Sequence, residues 1–101
     1  MTKIRDLLHE KFLNFIKLLE RIFSEKELEH LKKLYSNVKT EFIVEFIKLK
    51  ILPMKHNYEL IIHQLINDFQ LDISKITNEH KTVFKKYLDF FIEIVEHIEK
   101  Q

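Results

Sequence analysis

The chain has no glycine in 101 residues and only one proline, Pro53. That feature limits it more than any other. Glycine is the residue that takes a left-handed backbone without cost. Its absence removes the usual hairpin turns and the usual helix C-caps. It also removes the glycine-rich phosphate loop, the dinucleotide fingerprint and the glycine-flanked nucleophile elbow. What remains is a chain of apolar residues spaced for helices.

The spacing is clearest over residues 3 to 23. Ile4, Leu7, Leu8, Phe12, Phe15, Ile16, Leu19, Ile22 and Phe23 recur at steps of three and four. This predicts one amphipathic helix with Thr2 as its N-cap. Ser24-Glu25-Lys26-Glu27 then reads as a capping box, with Phe23 and Leu28 as its hydrophobic staple. Two helices are therefore expected to meet at Phe23–Ser24 with almost no loop. The second carries Leu28, Leu31, Leu34, Tyr35 and Val38, and Asn37 is expected to take the left-handed C-cap position.

Thr40 is expected to cap a third helix running to about Ile51, with Phe42, Ile43, Phe46, Ile47 and Leu49 on its core face. Pro53 restricts Leu52 and ends that helix. Asn57 caps a fourth, from Tyr58 to about Phe69. Leu71 to Ile76 reads as a short connection, and Thr77 opens a last helix reaching about residue 99. The fold expected is all-α: one domain over residues 1–101, a compact bundle of four or five helices with long first and last members.

The residues along the chain resemble a class of small all-helical proteins encoded by nucleocytoplasmic large DNA viruses. The resemblance rests on Phe12-Leu-Asn-Phe15-Ile16, then Leu18-Leu19-Glu-Arg-Ile22-Phe23-Ser-Glu25, then Ile51-Leu52-Pro53. It continues in Leu71-Asp-Ile73-Ser-Lys-Ile76 and Phe84-Lys-Lys-Tyr87-Leu88, so it spans roughly residues 12 to 92. Ser24 stands where that class often has proline, and Thr82-Val83-Phe84 replaces a commoner Trp-containing segment. The resemblance implies an all-helical fold and a viral origin. It transfers no site residues. The bias to 15 Lys, 14 Ile and 9 Phe, with 2 Arg and no Ala, is that of an AT-rich genome.

Composition narrows the function classes. Without cysteine there is no disulfide framework, no thiolate metal site and no cysteine nucleophile. The net charge of +1 is too balanced for a dedicated nucleic-acid neutraliser. No stretch approaches a membrane span, and Met1 to Glu10 lacks the pattern of a signal peptide. A cytoplasmic setting is expected, in a host cell or a virion.

Three candidate chemistries compete with a purely structural reading. His56, Glu59 and His63 could share a helix face and hold zinc, but a cap at Asn57 places His56 outside the helix. Glu27-x-x-His30 has di-iron bundle spacing without the second such motif those sites need. Ser24, Ser36 and Ser74 sit at caps and turns, where serine serves local hydrogen bonding. The expectation is no enzyme, no cofactor and no metal.

Binding is favoured instead. Every apolar residue is larger than alanine, and some fall off the main helix stripes. These are Leu13, Leu18, Val44, Leu60, Ile66 (which also belongs to the inward set of its helix), Phe90 and Ile92. They are the candidate interface for a homodimer or a protein partner. The alternative is a nucleic-acid accessory protein using the lysine clusters Lys48, Lys50, Lys55 and Lys81, Lys85, Lys86.

Overall fold

The computed structural model describes residues 2–100, with the side chains from residue 3 onward. Thr2, expected as an N-cap, is the first residue of α1, and its side chain lies outside what is described. Five α-helices follow one another: α1 (Thr2–Leu19), α2 (Glu25–Tyr35), α3 (Thr40–Lys50), α4 (Tyr58–Asp68) and α5 (Asn78–Glu99). Short 3-10 turns occupy Leu52–Met54 and Ile73–Lys75, and the described residues contain no strand. This is the all-α bundle expected, with the first and last helices longest.

Several starts follow the sequence closely. The Ser24 side chain accepts from the amide of Glu27, and Glu27 Oε1 accepts from the Ser24 amide at 3.0 Å. Asn57 Oδ1 accepts from the amide of Leu60 at 3.1 Å and opens α4. Thr77 opens α5 in a second reciprocal box, whose return partner is the His80 ring in place of a carboxylate. Each cap satisfies amide groups that would otherwise lack a partner at a helix start.

Other boundaries move. α1 stops at Leu19, and residues 20–23 form a tight turn built on Arg21 N–H to Leu18 C=O and Ile22 N–H to Leu19 C=O, both 3.1 Å. The apolar stripe continues through the turn because Ile22 and Phe23 still pack inward. The cap of α3 is Lys39 with no side-chain bond, since Thr40 Oγ1 faces His9 Nδ1 at 3.3 Å.

Among the described residues the left-handed one is Gln70, at φ 60°, and Asn37 does not take that conformation. Leu71 N–H bonds to Ile66 C=O, and Gln70 N–H to Asn67 C=O, both at 2.9 Å. That pair is a Schellman ending for α4. Leu71 closes it by returning to the core beside Leu65 and Ile66. A chain without glycine thus sets a glutamine in a position that glycine would occupy at less cost.

α1, α3 and α5 pack on one another, and α4 lies against α3 and α5. α2 covers the assembly with Leu28, Leu31 and Tyr35. Phe12 is the hub. Its ring lies 5.3 Å from Tyr35, 5.8 Å from Phe46 and 6.1 Å from Phe91, centroid to centroid. Phe15 meets Phe84 at 5.5 Å and Phe91 at 5.8 Å. These edge-to-face and tilted pairs fill the wide gaps between helices that carry no small residues. No charged or polar side chain is buried among the described residues.

Candidate functional site

The placement of α3 decides the site. Eleven residues long, it carries a broad apolar arc of Phe42, Ile43, Val44, Phe46, Ile47 and Leu49, with Glu41, Glu45 and Lys48 on the other side. It turns Ile43, Val44 and Ile47 into the core, with the C-cap Ile51 beside them. The expected face included Phe42 and Leu49, but both point out: Phe42 is 52% exposed and Leu49 69% exposed. Half-buried Phe46 lies between them, so the outward stripe Phe42, Phe46, Leu49 runs at steps of four and three. The apolar arc of this helix is wider than its own chain covers, and Phe42 and Leu49 form its uncovered edge.

An aromatic series ties this stripe to the interior. Phe42 lies near Phe46 at 6.5 Å, and Phe46 stacks on Phe69 at 6.1 Å with an interplanar angle of 9°. Tyr35 touches the series at Phe42, Phe46 and Phe69, each near 6 Å. Burial, with a smaller contribution from the charge of Asp68, holds the Tyr35 phenol up at about 12. Phe42, the exposed ring of the series, thus lies against Tyr35 and Phe46 of its own chain.

The sequence-based interface set divides. Val44, Ile66 and Ile92 belong to the core and present nothing to a partner; their off-stripe positions are filled because α3, α4 and α5 each have neighbours on two sides. Leu18 and Phe90 are half-buried against the same core. Leu13 is half-buried and lines an open groove of about 320 Å³ with Ile16, Lys17, Glu20, Lys32 and Tyr35. Leu60 is exposed and lines an open groove of about 400 Å³ with His63, Gln64, Asn67, Leu71 and Ile73. Spacing alone puts Phe42 and Leu49 on the core face, because the apolar arc of α3 is too broad for periodicity to choose which edge is covered.

The lysine clusters carry their own counter-charges. Lys48 Nζ lies 2.6 Å from Glu99 and 3.4 Å from Glu45, and these two carboxylates hold its pKa above the ordinary lysine range. Lys50 meets Asp68 at 3.4 Å, Lys55 meets Glu96 at 2.8 Å, and Lys81 meets Glu59 at 3.2 Å. Lys85 lies over the Tyr58 ring, 5.0 Å from its centroid. Tyr58 in turn hydrogen-bonds to Asp89. Lys86 borders a shallow groove with Lys11, Tyr87 and Phe90. Four of the six lysines thus share their surface with acids from distant parts of the chain, and no basic stripe results.

The metal and nucleophile candidates are placed as simply. His56 precedes the Asn57 cap and is exposed. Glu59 is shared between His63, at 3.7 Å, and Lys81. Among the described residues no three His, Asp or Glu side chains converge so as to hold a metal ion. Glu27 is occupied by Ser24 and by Lys75 Nζ at 2.8 Å; the lysine contact first, then the Ser24 amide, lowers its carboxyl to about 2. Ser36 donates to the Lys33 carbonyl and Ser74 to Asp72. No described helix is long and apolar enough to cross a membrane.

No protein-family model, curated protein or solved structure matches the chain.

Proposed function

We propose that this protein is a non-enzymatic helical interaction module that binds a protein partner or itself through the outward face of α3. One observation carries the reading: α3 buries Ile43, Val44 and Ile47 in its own core while leaving Phe42 and Leu49 more than half exposed, with Phe42 resting against Tyr35 and Phe46. Scattered apolar surface is ordinary, but large residues at heptad steps on one helix form a seam of the kind that a second helix covers. The viral resemblance supports an origin in a large DNA virus, where the module would serve as a virion component, a subunit of a larger machine or a ligand of a host factor.

The test uses Phe42→Glu combined with Leu49→Glu. Both side chains are exposed, so the fold is expected to survive, which circular dichroism checks. Wild type and double variant are then used as baits in the cells that make the protein. A specific protein, whether a second copy or another chain, is expected on wild type and absent from the variant. Identical retention on both, or nothing on either, overturns the proposal.

A further inference from the structure

We infer that the partner of the α3 face is a second copy of this chain, paired through α3 in parallel about a two-fold axis. The inference rests on the reading of that face as a binding surface and adds its occupant. Phe42, Phe46 and Leu49 occupy successive d, a and d positions of a heptad. In that register Glu45 falls at g and Lys50 at the following e. In a parallel pair, g of one helix lies across from the next e of the other, five residues on. Glu45 of each copy therefore meets Lys50 of its partner, once on each edge of the seam. The contact is self-complementary, as a two-fold interface requires.

An antiparallel pair lacks this match. It sets g across from g and e across from e, so Glu45 never meets Lys50, and the register centred on Glu45 brings the two carboxylates together. The charges at the seam thus select orientation as well as occupant. Both groups can take part without unpairing anything buried. Glu45 now touches Lys48 at 3.4 Å and Lys50 touches Asp68 at 3.4 Å, all of these at the surface. Exposed pairs of this kind exchange at little cost. Phe46, in the middle of the seam, is half-buried against Phe12, Tyr35 and Phe69, and only its outer part is left to meet the second copy.

The chain has no cysteine, so single introduced cysteines report cleanly. In the parallel pair, Phe42→Cys and Leu49→Cys are each expected to form a disulfide with the same position in the other copy under mild oxidation. Sedimentation velocity is expected to show wild-type dimers. Glu45→Lys sets lysine across from lysine on both edges and is expected to weaken the dimer about tenfold. Adding Lys50→Glu to that variant exchanges the two charges and is expected to restore it. Four results overturn the inference: a wild-type monomer at about 100 µM, cross-linking only in a mixture of the two cysteine variants, a Glu45→Lys dimer of unchanged strength, or no rescue. A monomer whose Phe42 and Leu49 still hold a different protein in the bait experiment overturns the self-pairing and leaves the binding face standing.

Discussion

Replacing Gln70 by glycine is expected to stabilise the protein. Gln70 is an exposed side chain at φ 60°, immediately after α4. A left-handed backbone costs a residue with a Cβ about 1–2 kcal/mol, and glycine avoids that cost. Glycine gives back about 0.5–1 kcal/mol through the greater freedom of the unfolded chain. The net gain lies between about 0 and 1.5 kcal/mol, centred at about 0.75 kcal/mol. The hydrogen bonds from Gln70 and Leu71 that end α4 use backbone atoms only, so Gln70→Gly keeps them. Urea denaturation monitored by circular dichroism measures the change, with an unchanged m-value and a midpoint raised by a few tenths of a molar. Gln70→Ala is the control. It shortens the side chain and keeps the Cβ, so its stability is expected to stay near that of wild type. If glycine and alanine give the same midpoint, or glycine lowers it, the strain assigned to Gln70 is not there.

Three further outcomes follow from the structure. Phe12→Ala removes a ring that is 1% exposed and touches Tyr35, Phe46 and Phe91, and it is expected to cost about 3–5 kcal/mol in the same assay. Acid is expected to loosen the Glu27 contacts: its carboxyl is depressed to about 2, so their contribution is full above about pH 4.5 and is lost as pH falls towards 2. Glu27→Gln is expected to flatten that part of the stability–pH curve. A gel shift with mixed-sequence DNA or RNA at low salt is expected to show no complex, because Lys48, Lys50, Lys55 and Lys81 are matched by carboxylates.

The helix starts were legible because their chemistry is local. Ser24 with Glu27, Asn57 and Thr77 each need only the next three residues to act as caps. The helix ends were harder to read. Asn37, after α2, does not take the left-handed position expected of it, while Gln70, after α4, does so where Leu71 returns to the core. Thr40 failed as a cap because a residue thirty-one positions away, His9, faces its hydroxyl. No local window contains that partner.

The candidate site was legible only in outline. A surplus of large apolar residues pointed to an uncovered face, but Val44, Ile66 and Ile92 proved to be core while Phe42 and Leu49 proved to be surface. On a helix with so broad an apolar arc, the neighbours choose which part of it is buried. Tyr35 from α2 and Phe69 at the end of α4 set the rotation of α3 by engaging Phe46. The lysine clusters show the same limit. Read along the chain they are basic, and only the folded arrangement brings Glu99, Asp68, Glu96 and Glu59 to them.

The central claim is that the outward stripe of α3 is a binding face, with a second copy as its occupant. Sedimentation velocity over a concentration series, comparing wild type with the Phe42→Glu, Leu49→Glu double variant, tests it most directly. Wild type is expected to shift from monomer to dimer with rising concentration while the variant stays monomeric with unchanged helicity. Two superimposable monomer profiles, or a dimer that persists in the variant, would contradict it.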